Sequence, residues 1–392
     1  MTPSPSRRLT LACLAALTPA RVFAAGAGEA LYAYVGAYTP NGGGIHVFRM
    51  DSKTGRLQPL NVTSGIANPT WLIIDQRARR LFALAETADY GPNRTGSVTA
   101  YSIGRDGALT ALNTVGSGAA GPAHLSLHPS GRFVFVSDYR KGAVAVLPVD
   151  AVGRLGEAVD VRFPEALPPE PSSTEGGNFT VSDHTGPHMH MAMMDPSNRW
   201  LVGADAGSDR LYVWRLDPAN GRLSAAPAPF AAAPPGSAPR HFAFSRSGRR
   251  LFVLQEHDAR IATWDFDPAT GALRQISSIS SLPEGFAGSN LGSELAFSPG
   301  DRFLYAANRL RDAITQFEVA SDGRLTRRNE TWTQGDYPRS FNFTPDGRWL
   351  IACCQHSDAL TSFRVDPANG RLTFTGAFTP VGSPACVAFT RA

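Results

Sequence analysis

Six pairs of polar residues recur along this chain, the members of each separated by 14 to 16 positions. They are Thr70 with Glu86, His124 with Asp138, His190 with Asp205, Arg240 with Glu256, Glu294 with Arg309, and Arg339 with Gln355. A carboxylate beside a guanidinium can accept a proton or steady an anion. A histidine can carry a proton between the two. His188-Met189-His190 would put two imidazoles on one face of a strand, but no third ligand lies at a metal-binding spacing, so no metal is expected. Nucleophile-elbow, phosphate-loop and dinucleotide motifs are missing from the sequence, and no cofactor is expected.

The spacing of these pairs is that of a short hairpin, and the chain repeats such hairpins. A turn of the form Asp-x-x-x-Gly-Arg-Leu occurs at Asp51–Leu57, Asp217–Leu223 and Asp366–Leu372, with Ala for Arg at Asp267–Leu273. Shorter versions end at Leu109, Leu155 and Leu325. The seven leucines are spaced by 52, 46, 68, 50, 52 and 47 residues, the period of propeller blades. Each repeat reads as four alternating strands. The first opens with Pro-x-x, as at Pro69, Pro122, Pro187, Pro239, Pro338 and Pro384, and Gly292-Ser293-Glu294-Leu295 is a copy without the proline. Cys386–Phe389 ends the chain without a second strand, whereas Leu31–Val35 is a second strand without a first. Joining them closes a ring. The sequence thus predicts an all-β, seven-bladed β-propeller of four-stranded antiparallel blades over 25–392. The segment 156–186 is expected as an insertion loop and Ala225–Ala238 as a surface connection. In that ring the six pairs meet at one mouth of the channel, Arg240 bonding Glu256 and Arg309 bonding Glu294. The aspartate turns lie at the other end as structure.

Composition narrows the rest. The 392 residues contain 38 Gly and 30 Pro, which suits many turns and few long helices. No apolar run approaches the roughly 20 residues that span a bilayer. Residues 1–24 carry Arg7-Arg8, an apolar Leu9–Leu17 stretch and a Val22-Phe23-Ala24 cleavage pattern. That is the layout of an export signal, with twin-arginine character, and it predicts a periplasmic or secreted protein without a membrane anchor. Cleavage after Ala24 removes three arginines and no acid, so the net charge of +4 becomes +4 − 3 = +1. A near-neutral chain with no basic stretch is not a nucleic-acid binder. Three cysteines remain, Cys353, Cys354 and Cys386, either as buried thiols or with one Cys353/Cys354–Cys386 bridge.

These motifs together resemble the lactonase-type seven-bladed propellers, a family that includes a 6-phosphogluconolactonase and a 3-carboxy-cis,cis-muconate lactonizing enzyme. The marks are Tyr34–Thr39, Asn68-Pro69, Gly186–His190, Asp205–Arg210, Pro239-Arg240-His241, Glu256, Asn308-Arg309, Pro338–Phe341 and Gln355–Asp358. The resemblance covers nearly all of the mature chain. It implies active-site groups at one of His188 and His190, at Arg240, at Glu256 and at Arg309. Departures are Leu310-Arg311 after Arg309 where Gly-His is usual, Gln255 before Glu256, and Asp138 in place of Asn. Loss of the glycine narrows that loop and argues against a phosphosugar.

The resemblance implies a small lactone as substrate and a hydrolase that acts by attack of water. Glu256 is expected as general base, and Arg240 and Arg309 as oxyanion or carboxylate ligands. His190, oriented by His188 or Asp205, is expected to give or take the proton at the leaving oxygen. His188, His124, Arg339, Glu294, Asp205 and Gln355 are expected to contact substrate, in a monomer. Two other readings stand beside this one: a lactonizing cycloisomerase using the same groups in reverse, and a non-catalytic binding scaffold.

Overall fold

A computed structural model describes residues 30–164, 179–180 and 182–392. The expected signal at 1–24 and most of the loop between 164 and 182 lie outside the described residues. The described chain folds into seven four-stranded sheets. Each begins with an inner strand and moves outward through three hairpins, as in Pro239–Phe244, Arg250–Gln255, Arg260–Phe266 and Leu273–Ser280. The first sheet is different. Its inner strand is Pro384–Arg391, which pairs antiparallel with Leu31–Ala37, so that the two ends of the chain close the ring within one blade.

What holds the ring is the packing of flat apolar faces between blades. Seven clusters of buried side chains are present among the described residues, and each is drawn from two adjacent blades. Val253 and Trp264 of one blade, for example, face Val202 and Trp200 of the previous one. Each such large side chain contributes about 1.5–3 kcal/mol by leaving water. The aspartate turns fasten the same interfaces. Asp51 Oδ1 accepts the Lys53 amide at 2.8 Å, and Asp366 Oδ1 the Ala368 amide at 2.8 Å. The glycine that follows is needed twice over. Gly55 has φ +74° and a Cβ there would lie 2.5 Å from the Trp349 ring of the neighbouring blade.

Three local expectations are corrected. Ala225–Ala238 is not all connection, because Leu223–Ala232 is the outer strand of its blade; beyond the register shift between Trp214 and Tyr212, Phe230, Ala231 and Ala232 pair with Tyr212, Leu211 and Arg210. Within the expected loop, Asp160–Arg162 is the short outer strand of the third blade. The fourth inner strand starts at Met189, two residues after Pro187. Cys353, Cys354 and Cys386 are free, buried thiols.

Candidate active site at the channel mouth

In six blades the residue after the second strand donates its amide to the carbonyl of the residue before the first, and in the other Glu86, within the long second strand Arg80–Tyr90, makes the same bond to Asn68 ahead of the inner strand Leu72–Asp75. The bonds run from Tyr38 to Ser383, Glu86 to Asn68, Tyr139 to Gly121, Ala206 to His188, Glu256 to Ala238, Arg309 to Leu291 and Gln355 to Tyr337, at 2.7–3.1 Å. This seven-fold latch sets a mouth ring of side chains: Tyr38, Glu86, Tyr139, Ala206, Glu256, Arg309 and Gln355. Just inside it, six of the inner strands carry an irregular register at the residue after the latch. Examples are the shifts between Pro239 and His241, Met189 and Met191, and Pro338 and Ser340. A bulge opposes two residues to one, so the two-residue alternation of a strand is suspended there. Neighbours such as Arg240 and His241 can then both reach the channel. A middle ring follows with Thr70, His190, Arg240, Ser293 and Arg339, and a deeper one with Trp71, His124, His241, Glu294 and Ser340.

The contacts follow these rings. Glu256 forms ion pairs with two arginines, its Oε2 lying 3.0 Å from Arg240 Nε and its Oε1 3.1 Å from Arg309 Nη2. Arg240 also donates to the Ser293 carbonyl, and Arg309 to the Gly292 carbonyl at 2.8 Å. On the facing side, Glu86 Oε2 accepts Thr70 Oγ1 at 2.7 Å and the Tyr38 hydroxyl at 2.8 Å, with Arg339 Nη2 at 3.7 Å. Arg339 lies over the Tyr38 ring at 5.0 Å. Below, His241 meets His190 at 5.0 Å between ring centroids and His124 at 5.6 Å, while Trp71 covers His124 at 4.6 Å. Glu294 accepts His241 Nδ1 at 2.9 Å and the Ser340 hydroxyl at 3.0 Å. Although three imidazoles are near one another, no group of three potential ligands among the described residues is arranged to hold a metal ion.

Burial and charge divide these groups by protonation. Burial pushes the Glu256 carboxyl up, but Arg309 and Arg240 outweigh it and hold the group below its usual range. Burial, with Arg240 opposing, pushes Glu294 up to about 7. Burial also takes His124, His190 and His241 well below 6.5, helped by their cationic or imidazole neighbours, so all three are neutral near pH 7. The mouth therefore sets arginines around the fixed carboxylate of Glu256, with Glu86 on the facing wall, over neutral imidazoles.

A profile of the family described as "Lactonase, 7-bladed beta-propeller" matches residues 32–389. The chain belongs to this lactonase family. It is 31% identical to a 6-phosphogluconolactonase of Bacillus subtilis over an alignment covering 91% of this chain and 97% of that one. It is 27% identical to a 6-phosphogluconolactonase of Formosa agariphila, covering 86% and 94%. Among solved structures, the periplasmic gluconolactonase of Pseudomonas aeruginosa superposes with a TM-score of 0.82 at 32% identity, covering 92% of this chain and 99% of that one.

Of the expected pairs, Thr70–Glu86 and Arg240–Glu256 form as read from the spacing. Arg309 does not bond Glu294. It lies in the mouth ring, whereas Glu294 follows the bulged Ser293 and is one ring too deep, so Arg309 turns to Glu256 of the previous blade. Asp205 does not orient His190; its Oδ1 accepts the amides of His188 at 2.7 Å, Gly207 at 3.1 Å and Ser208 at 3.1 Å. Asp138 likewise faces away from His124 and accepts the Ser117 hydroxyl at 2.9 Å. Neither aspartate is a channel group, because both end the second strand one position before the mouth ring. His188 does not orient His190 either. Its Nε2 lies 3.2 Å from Asp183, its Nδ1 is 2.9 Å from the Tyr139 carbonyl, and its ring stacks on Tyr139 at 4.5 Å. Gln355 sits in the mouth ring with its Oε1 unpartnered. The residues the spacing missed are Tyr38, Tyr139, Tyr337, His241, Ser340 and Trp71. A seven-fold alignment on the residue after the second strand would have collected Tyr38 and Tyr139, since each follows a second strand as Glu256 does.

Proposed function

We propose that this chain is a lactone hydrolase acting on a sugar-type lactone outside the inner membrane, as a monomer. The observation that carries the reading is the pair of buried guanidiniums locked on Glu256 at an open mouth. Relatives named for lactone hydrolysis support it, and so does the likeness to a protein titled a periplasmic gluconolactonase. Export is supported by the signal-like residues 1–24, and among the described residues no helix is long and apolar enough to cross a membrane. A ring closed by its own two ends leaves no sheet edge open at the joint, which favours a monomer.

Hydrolysis of a lactone needs a base for the attacking water, positive charge for the oxyanion, and a proton for the ring oxygen. A carboxylate offers about four acceptor sites, and pairing with the two arginines leaves lone pairs on Glu256 for a water. The same ion pairs keep Glu256 ionised and therefore able to take that proton. Arg240 and Arg309 stand beside it, where the carbonyl oxygen gains charge, and are already charged and oriented before reaction. They then hold the product carboxylate. Arg339, with Glu86 and Tyr38, closes the opposite wall and contacts the remainder of the substrate. His190, neutral above the deeper imidazoles, borders the reacting groups without adding charge.

The test is hydrolysis by the mature protein of a panel of unphosphorylated and phosphorylated sugar lactones and simple δ-lactones. Turnover that falls about 100-fold or more in Glu256→Gln supports the reading. Absence of turnover on the whole panel, with folded protein, would sink it.

A further inference from the structure

The reaction as derived leaves one proton unassigned, that for the departing ring oxygen. His190 was the expected donor, but a buried imidazole surrounded by arginines and another imidazole stays neutral and has no readily lost proton. Glu256 cannot supply it in the same step, being ionised. One protonated group in the mouth ring stands beside them unused. Tyr139 holds the position in its blade that Glu256 and Arg309 hold in theirs, fixed by its amide bond to Gly121 at 2.8 Å. Its ring stands edge-on to His190 at 5.7 Å and 76°. Its hydroxyl donates no hydrogen bond to any described residue, although the other two mouth tyrosines are both engaged: Tyr38 on Glu86 at 2.8 Å and Tyr337 against Arg309 at 3.4 Å. Tyr139 also lines a cleft of about 830 Å³ with Glu86, Asn93, Asp183 and His188, so the residue borders space that a ligand can enter.

From this geometry we propose that Tyr139 donates its hydroxyl proton to the leaving ring oxygen of the lactone and that His188 is the residue that positions it. The inference rests on the lactone-hydrolase reading. In the step, the water oxygen bonds the carbonyl carbon and its proton passes to Glu256. The bond from that carbon to the ring oxygen breaks, the electron pair stays on the ring oxygen, and the Tyr139 proton neutralises it. The tyrosinate recovers a proton from solvent, and Glu256 returns its own to solvent, so that lactone and water give a hydroxy acid.

The surroundings suit the task. Burial first, and then the charges of Glu256 and Asp183, push the Tyr139 phenol up, so it stays protonated at any physiological pH. The departing alkoxide is a stronger base than even a buried tyrosinate, so the transfer runs downhill once the carbon–oxygen bond has broken. The stacking of His188 at 4.5 Å and 15°, with its two nitrogens on Asp183 and on the Tyr139 carbonyl, holds the phenol at one angle.

The experiment compares wild type, Tyr139→Phe and His188→Ala on two substrates, an aliphatic δ-lactone and dihydrocoumarin. The second releases a phenolate, which leaves without a proton. Tyr139→Phe is expected to lower kcat about 100-fold on the aliphatic lactone and less than about threefold on dihydrocoumarin, with KM within about threefold on both. His188→Ala is expected to show the same leaving-group selectivity at about tenfold. An unchanged kcat on the aliphatic lactone, or equal losses on both substrates, overturns the proposal while leaving the hydrolase reading intact. A wild-type protein inert on both substrates overturns the hydrolase reading itself and this proposal with it.

Discussion

Asp138 is a charge-prone group held where a charge is unwelcome, and replacing it with asparagine should remove the pH dependence of stability at that site. It is fully buried, and its Oδ2 has no partner. The Ser117 hydroxyl has one proton and two oxygens to serve, the Ala119 carbonyl at 2.6 Å and Asp138 Oδ1 at 2.9 Å. A protonated Asp138 supplies the second proton. In agreement, burial pushes this carboxyl up to about 8, with Ser117 and the Ala119 amide only partly opposing. A folded value above the unfolded one means that the native state binds more protons than the unfolded chain between about pH 4 and about pH 8. Stability is therefore fully present below pH 4 and is lost at about 1.4 kcal/mol per pH unit through that window. At pH 7 the loss is about 4 kcal/mol, from roughly three units of separation. The sixth blade shows the remedy: Asn308 occupies the equivalent place and meets Ser281 at 2.9 Å. Asn308 also donates to Thr315, whereas the matching residue in the third blade is Ala145, so an amide at 138 leaves one donor unmet at a cost of about 1–3 kcal/mol. At pH 8 the wild-type loss has grown to about 5 kcal/mol, so Asp138→Asn should be about 1–3 kcal/mol less stable than wild type at pH 4 and about 2–4 kcal/mol more stable at pH 8, the balance of these two quantities. Urea unfolding at pH 4, 6 and 8 measures the difference. A difference that does not grow with pH refutes the reasoning.

Glu256→Gln removes the counter-charge of two guanidiniums that are 2% and 5% exposed, and should destabilise by about 3 kcal/mol as well as slowing turnover, read by denaturation and lactone hydrolysis together. Retention of both wild-type stability and turnover would count against the cluster as the site. Gly207→Ala places a Cβ 1.8 Å from the Gly186 carbonyl oxygen, so the Gly186–His188 segment must shift. Its expected signature is a rise in KM, with a loss of about 1–3 kcal/mol in stability, since the clash is with backbone. Glu294, pushed up to about 7, ionises as pH rises through neutrality beneath Arg240. An inflection near pH 7 in kcat is expected for wild type and should vanish in Glu294→Gln, which keeps its shape; a profile that is the same in both rejects a role for this carboxyl.

The parts of this protein written in local sequence were legible without coordinates. Asp-x-x-x-Gly-Arg-Leu states its own turn, since an aspartate that caps two amides and a glycine at positive φ are read from neighbours alone. Counting seven such turns, and matching the orphan strand Leu31–Val35 to the orphan Cys386–Phe389, predicted the closed ring. Arg240 and Glu256 fell together because both flank one hairpin of regular length. The outer strand Leu223–Ala232 was missed because alanine and proline carry no strand signal of their own; its pairing to Arg210–Leu216 forms it.

What the tertiary structure decided was which of the polar residues share a ring. One bulged residue at the start of an inner strand shifts the side chains that follow by one place, and nothing in the composition of Gly292-Ser293-Glu294 announces that shift. It separates Glu294 from Arg309 and sends each to a partner in a neighbouring blade, Ser340 for one and Glu256 for the other. Contacts between blades depend on how seven sheets close around an axis, a condition met by the whole chain at once. The residue types needed for lactone chemistry were thus present in the sequence, while the pairing of Arg309 with Glu256 and the free hydroxyl of Tyr139 exist only once the ring has closed.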